Sequence, residues 1–296
     1  MRDSLWLHKI KGDMSNKGPT DIAREIVKIG KKKARLPASS MAILSILAGI
    51  YIAIAGQAMI TVTHDAAGSV GTGLARLLGG SVFSLGLILV VLAGAELFTG
   101  NSLMVVGWLE RKLNLKALAK NWSIVYIGNL IGSILIVYLV FFSGIWMING
   151  GAVGKYALSI AVSKADLGFW SALVRGIGAN WLVCVAIWLA ISGGTTRDKI
   201  LGIYFPITAF VLLGFEHSIA NMFFLPMGLL LKGVVSVPGA SSLTLSTAIF
   251  NNIIPVTIGN IIGGVLFVAV PYWMVYLKNH NKQQVLLKPE LVKRAA

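Results

Sequence analysis

The chain has 296 residues, 56% of them hydrophobic and only 12% charged, with 26 Lys and Arg against 11 Asp and Glu. Apolar runs long enough to cross a bilayer recur along it, which excludes an ordinary soluble domain and describes an all-α integral membrane protein. The formal net charge of +15 suggests nucleic acid at first sight, but the basic residues are distributed as membrane topology requires, so no nucleic-acid partner is expected.

Residues 1–36 form a polar, basic N-terminal segment without an apolar core near its start. No cleaved signal peptide is therefore expected, and the first membrane helix should target the chain. The 20–36 stretch is expected to lie as an interfacial helix rather than to act as a gate. Six spans follow within a transmembrane domain of 37–278. The first covers 39–60. The second is interrupted, 77–95 then 101–109. The third covers 122–148 and the fourth 169–191. The fifth is interrupted, 200–214 then 218–231, and the sixth covers 246–277. All should be helical, because lipid offers no water to open strand edges. The connections 61–76 and 149–168 are rich in Gly, Ala and Ser. Gly68, Gly71, Gly73, Gly79 and Gly80 have neither a preceding strand nor a following Gly-Lys-Ser/Thr, so they read as a turn before a helix and not as a phosphate loop. Residues 279–296 form a short C-terminal tail.

The Lys and Arg counts orient these spans. With six spans, the N-terminal segment, the loops 110–121 and 193–199, Lys278 and the C-terminal tail share one side and hold 21 basic residues. The other side holds five: Arg76, Lys155, Lys164, Arg175 and Lys232. Both termini are therefore expected in the cytoplasm, with the basic side against anionic lipid.

The two interruptions carry one cassette. Gly94-Ala95-Glu96-Leu97-Phe98-Thr99-Gly100-Asn101 is matched by Gly214-Phe215-Glu216-His217-Ser218-Ile219-Ala220-Asn221, with Gly, Glu and Asn 120 residues apart. A carboxylate in an apolar stretch costs about 2.5–3.5 kcal/mol on insertion scales, so it needs a partner or a task. Residues 121–132 (Asn-Trp-Ser-Ile-Val-Tyr-Ile-Gly-Asn-Leu-Ile-Gly) align with 252–263 (Asn-Ile-Ile-Pro-Val-Thr-Ile-Gly-Asn-Ile-Ile-Gly) at an offset of 131. Three spans in each half force the halves into opposite orientations. The expected architecture is two inverted three-helix repeats whose broken helices 2 and 5 meet near the midplane.

Only Glu96 and Glu216 among the acidic residues, and only His217 among the four histidines, fall within the spans. The two glutamates are expected to hold the loops by accepting freed backbone N–H groups, with direct proton transfer as the other reading. His217 adjoins one of them at a break, and its ordinary titration range suits proton donation near neutral pH, so it is expected on the solute pathway. Thr99 offers a hydroxyl at the other break, either to an anion or to its own loop. Asn129, Asn180 and Asn260 are amides deep in spans, for which interhelical hydrogen bonding suffices. Gly128/Gly132 and Gly259/Gly263 read as close helix contacts. Cys184 is alone in an apolar run and reads as a small buried hydrophobe. No second His or Cys has ligand spacing with His217, so no metal and no cofactor are expected.

Three strings are long and specific: Gly-Phe-Glu-His-Ser-Ile-Ala-Asn-Met-Phe at 214–223, Glu-Leu-Phe-Thr at 96–99 and Asn-Ile-Ile-Pro-Val-Thr-Ile-Gly-Asn-Ile-Ile-Gly-Gly at 252–264. Through them the chain resembles the formate/nitrite transporter family, and within it the bacterial formate channels, from about residue 20 to 278. The resemblance implies an aquaporin-like protomer without aquaporin sequence, assembled as a homopentamer in the bacterial inner membrane, each protomer with its own pore. It implies His217 as the family's central histidine, Thr99 as its loop threonine, Asn180 and Asn260 as its pore asparagines and Lys164 as its vestibule lysine. It implies one constriction of Leu87, Leu97 and Phe98 and another of Phe83 and Phe210. The 61–76 stretch, with His64 and Asp65, departs from the expected formate-channel version.

The expected function is passage of small monovalent weak-acid anions, formate first. Nitrite, hydrosulfide, acetate and lactate, or proton-coupled symport, remain the alternatives. Lys164 would draw in the anion, which would gain a proton from water or through His217, while Thr99, Asn180 and Asn260 replace lost hydration. A membrane enzyme would need metal ligands, haem-binding histidine pairs or a nucleophile with its base, and none is present. An aquaglyceroporin would carry Asn-Pro-Ala at the breaks.

Overall fold

The computed structural model describes residues 16–278, and their regular structure is all helical. The tail 279–296 and the first fifteen residues of the N-terminal segment lie outside the described residues. Ten helices concern the argument: α1 (Pro19–Ala34), α2 (Ala38–Thr63), α3 (Thr72–Leu92), α4 (Met104–Leu109), α5 (Leu115–Phe142), α6 (Ala152–Ala165), α7 (Phe169–Ser192), α8 (Thr196–Leu212), α9 (Ser218–Leu231) and α10 (Leu245–Lys278). By length and composition α2, α3, α5, α7 and α10 are each apolar enough to cross a membrane, and α9 is a shorter apolar helix. Large side chains such as Ile43, Ile127, Leu135, Leu139 and Phe142 point outward. Such a surface needs lipid or another subunit to cover it.

Helix ends follow local chemistry. α5 begins seven residues before the expected 122, because the Asn114 side chain caps it by accepting from Ala117 N at 2.8 Å. It stops at Phe142, where Gly144 takes a left-handed φ of 73°. α3 and α8 end just ahead of Gly94 (φ 81°) and Gly214 (φ 70°), inside the two cassettes. A 3-10 turn, Gly100–Leu103, then leads into α4, while α9 starts directly at Ser218.

The connection 149–168 is not simply a loop: it holds α6. The small residues that suggested a loop instead let the helix pack closely, since Gly228 of α9 leaves no room for a Cβ beside Ala161. A short helical turn, Ala66–Val70, likewise interrupts 61–76. At the other end α1 is docked. Ile22, Ala23 and Ile26 are buried with Met104, Val106 and Trp188, so the helix rests on α4 and α7.

Two glycine pairs set the closest helix contacts. A Cβ at Gly132 would meet the Ile46 backbone of α2, and one at Gly263 would meet the Ile177 backbone of α7. Without a hydrophobic drive in lipid, such close approach is how membrane helices gain dispersion energy. It also brings the amides of α5 and α10 against the two breaks.

Candidate functional site

The two breaks are built alike. At the first, Glu96 N donates to Leu44 O of α2, and Phe98 N donates to Asn129 Oδ1 at 3.0 Å. Asn129 Nδ2 in turn donates to Ser45 O at 2.8 Å and Glu96 O at 2.9 Å. At the second, Glu216 N donates to Arg175 O of α7, and Ser218 N donates to Asn260 Oδ1 at 2.9 Å. Asn260 Nδ2 donates to Gly176 O at 2.8 Å and Glu216 O at 3.0 Å. One buried amide thus satisfies two backbone groups of its break and ties them to a carbonyl of the neighbouring helix, α2 or α7.

The carboxylates are held the same way twice. Glu96 Oε2 accepts from Asn101 Nδ2 at 2.8 Å, and Lys33 Nζ of α1 lies 3.0 Å from Oε1. Glu216 Oε2 accepts from Asn221 Nδ2 at 2.7 Å, and Lys164 Nζ of α6 lies 2.9 Å from both carboxylate oxygens. Asn121 and Asn252 complete each set by accepting from Asn101 and Asn221 at 2.7 Å and 2.6 Å. Each buried carboxylate is therefore paired and hydrogen-bonded, which is what a low-dielectric site demands. The partners are amide side chains and a lysine rather than freed backbone N–H groups.

His217 caps α9. Its Nδ1 accepts from Ala220 N at 3.1 Å, so that nitrogen carries no proton. The neutral ring then holds its proton on Nε2 and donates it to Thr99 Oγ1 at 2.9 Å. This bond joins the two breaks, and it leaves the Thr99 hydroxyl proton available to another acceptor.

A cavity of about 330 Å³ opens beside His217, lined among others by Arg76, Phe83, Lys164, Phe210 and Glu216. The Phe83 and Phe210 rings meet edge to face at 5.7 Å, and Phe210 lies 6.1 Å from the His217 ring. Two aromatic rings in contact thus line the cavity next to the His217–Thr99 bond.

The remaining expected residues stand elsewhere. Leu87, Leu97 and Phe98 are buried outside this lining. Phe98 packs on Tyr126 at 4.8 Å and borders a separate outward-facing groove between α5 and α10. Asn180 Nδ2 donates to Asn260 O at 2.6 Å and lies 3.1 Å from Ser102 Oγ. The Nδ2 groups of Asn180 and Asn260 are thus taken up by the scaffold in this state. Lys164, expected as an exposed vestibule charge, is instead only 15% exposed and neutralised by Glu216. Among the described residues no cluster of three or more His, Cys, Asp or Glu forms a metal site.

Sequence reasoning missed Lys33 and the four asparagines around the carboxylates. A signal existed: Lys33 and Lys164 are 131 residues apart, the same offset that relates Asn129 to Asn260. Both halves thus begin one helix earlier, at α1 and α6. The offset falls to 120 only around the breaks, because the first half carries its extra residues between α2 and α3 and the second between α9 and α10.

Comparison with known proteins follows the same outline. The profile of the family described as "Formate/nitrite transporter" matches residues 20–274. The chain is 42% identical over 281 residues to a "Probable formate transporter" of Methanothermobacter thermautotrophicus, covering 89% of this chain and 98% of that one. It is 42% identical over 273 residues to "Formate channel FocA" of Escherichia coli (strain K12), covering 89% and 95%. A solved structure described as "Pentameric formate channel with formate bound" is similar with a TM-score of 0.72 at 39% identity, covering 81% of this chain and 98% of that one. A second, "FNT family ion channel", gives 0.76 at 27% identity, covering 86% and 98%.

Proposed function

Because this chain belongs to the formate/nitrite transporter family, a family of channels and transporters rather than enzymes, we propose that it conducts small monovalent weak-acid anions, formate foremost. The supporting observation is the His217–Thr99 hydrogen bond, which joins the two breaks beside a cavity lined by Phe83 and Phe210. We propose six spans in two inverted halves, with α3 plus α4 and α8 plus α9 as broken spans. The repeated hydrogen-bond sets at Asn129 and Asn260 support that reading. The positive-inside count favours cytoplasmic termini in a bacterial inner membrane, which puts the His217 cavity on the outer side. The similar solved formate channel is described as pentameric; a homopentamer is proposed here, in which further copies with lipid would cover the outward apolar faces.

A bare anion crossing a pinch formed by Phe83 and Phe210 would lose its hydration without replacement. The neutral acid avoids that penalty. The anion takes its proton from water ahead of the pinch or through His217, and crosses as the uncharged acid. As it passes, the Thr99 hydroxyl donates to it while His217 holds the Thr99 oxygen in place. The route through His217 requires Nδ1 to take up a proton and release Ala220 N, giving up a helix cap worth about 1 kcal/mol.

Uptake of labelled formate into proteoliposomes between pH 5 and 8 tests this, with nitrite, acetate, lactate and hydrosulfide as competitors. Flux should rise as pH falls, and formate should compete best. Flux that ignores pH and is unchanged in His217→Phe removes the proton step. No formate flux at any pH removes the reading altogether.

A further inference from the structure

We infer that Arg76, rather than Lys164, is the charge that captures the anion at the mouth of the His217 cavity. The inference rests on the anion-pathway reading above and adds a residue to it. The ionisable groups lining the cavity are Arg76, Tyr156, Lys164, Glu216 and His217. Lys164 and Glu216 cancel, with Nζ 2.9 Å from both carboxylate oxygens. His217 is uncharged as the Nε2–H tautomer its two hydrogen bonds require, and Tyr156 brings a hydroxyl without formal charge. The net charge of the lining is therefore +1, and it resides on Arg76. Among the described residues no carboxylate comes within ion-pair distance of that guanidinium.

Its position suits capture. Arg76, Gly79, Gly80 and Phe83 are spaced i, i+3, i+4 and i+7, so they share one face of α3. At 1.5 Å per residue, Arg76 stands about 10 Å outward of Phe83 along the helix. The guanidinium lies beside Gly214, its Nη1 3.8 Å from where a Cβ would be, at the point where α8 ends and the second break begins. An anion drawn there waits at the open end of the cavity, ahead of the aromatic pinch. The side chain is exposed, so its field reaches solvent and is screened by salt.

The test is formate uptake from the Arg76 side in proteoliposomes of wild type, Arg76→Gln and Arg76→Lys, at 20 mM and 500 mM inert salt. For wild type, the half-saturating concentration should rise about threefold or more with salt. For Arg76→Gln it should already be raised about threefold or more at low salt and be insensitive to further salt, with maximal flux near wild type. Arg76→Lys should restore the salt-sensitive behaviour. A purely structural role would instead lower maximal flux or disperse the oligomer on size-exclusion chromatography in both variants, and that result overturns the inference. So does an Arg76→Gln channel with unchanged half-saturation and salt response. If wild type itself carries no formate, the functional reading fails rather than this assignment.

Discussion

Replacing the amide of Asn260 or Asn129 by alanine should test how the breaks are held. Asn260 is fully buried, and its side chain bonds Ser218 N, Gly176 O and Glu216 O at 2.8–3.0 Å. Asn129 is equally buried and bonds Phe98 N, Ser45 O and Glu96 O at 2.8–3.0 Å. Each Asn→Ala change strands two buried backbone groups of its break, Phe98 N and Glu96 O or Ser218 N and Glu216 O. With about 1–3 kcal/mol per stranded group, and partial relaxation or water entry lowering the sum, a loss of about 3 kcal/mol is expected at either site. At about 2–4 °C per kcal/mol for chains of this size, thermal midpoints in detergent should fall by roughly 6–12 °C. The repeat demands near equality between the two variants, which no composition argument would require. Function should suffer in both, because Asn260 holds the break that carries His217 and Asn129 holds the break that carries Thr99. Formate flux per folded protein should drop in both variants. A midpoint shift below about 2 °C in either variant, or a large inequality between them, refutes the scaffold role.

Three further outcomes follow from the same contacts. Thr99→Val removes the acceptor of the His217 Nε2 proton and should lower formate flux at least about tenfold, with Thr99→Ser retaining most of it; equal flux in the valine variant would contradict the pathway role. Glu216→Gln leaves Lys164 charged and largely buried, and should destabilise by about 1–3 kcal/mol in detergent melts; Glu96→Gln should cost less, since Lys33 is 23% exposed against 15% for Lys164. Gly49→Leu drives a side chain into the Asn129 carbonyl on α5, so the protein should fail to elute as a single folded species on size-exclusion chromatography.

The lysine 131 residues before Lys164 shows where sequence reading stopped. Lys33 shares that offset with the Asn129–Asn260 pair, yet it lies in a basic segment whose charge topology alone explains. Only its approach to Glu96 gives it a second role. The 152–165 stretch failed differently: glycine and alanine mark a loop in water but permit tight helix packing in lipid. The tautomer of His217 was beyond sequence entirely, since it depends on which backbone N–H points at Nδ1.

What the sequence determined by itself was the membrane class, the long apolar helices and the two matching polar cassettes. Lipid imposes those through rules that act along the chain: each span needs about twenty apolar residues, and each intramembrane charge needs a reason. What the tertiary structure decided was how the polar groups divide their work. The amides of Asn129, Asn180 and Asn260 bind the scaffold, Lys33 and Lys164 neutralise the two glutamates, and Arg76 is left as the unbalanced charge at the mouth. A hydrogen bond or ion pair is a choice between neighbours in space, and helices brought together from both halves of the chain make that choice.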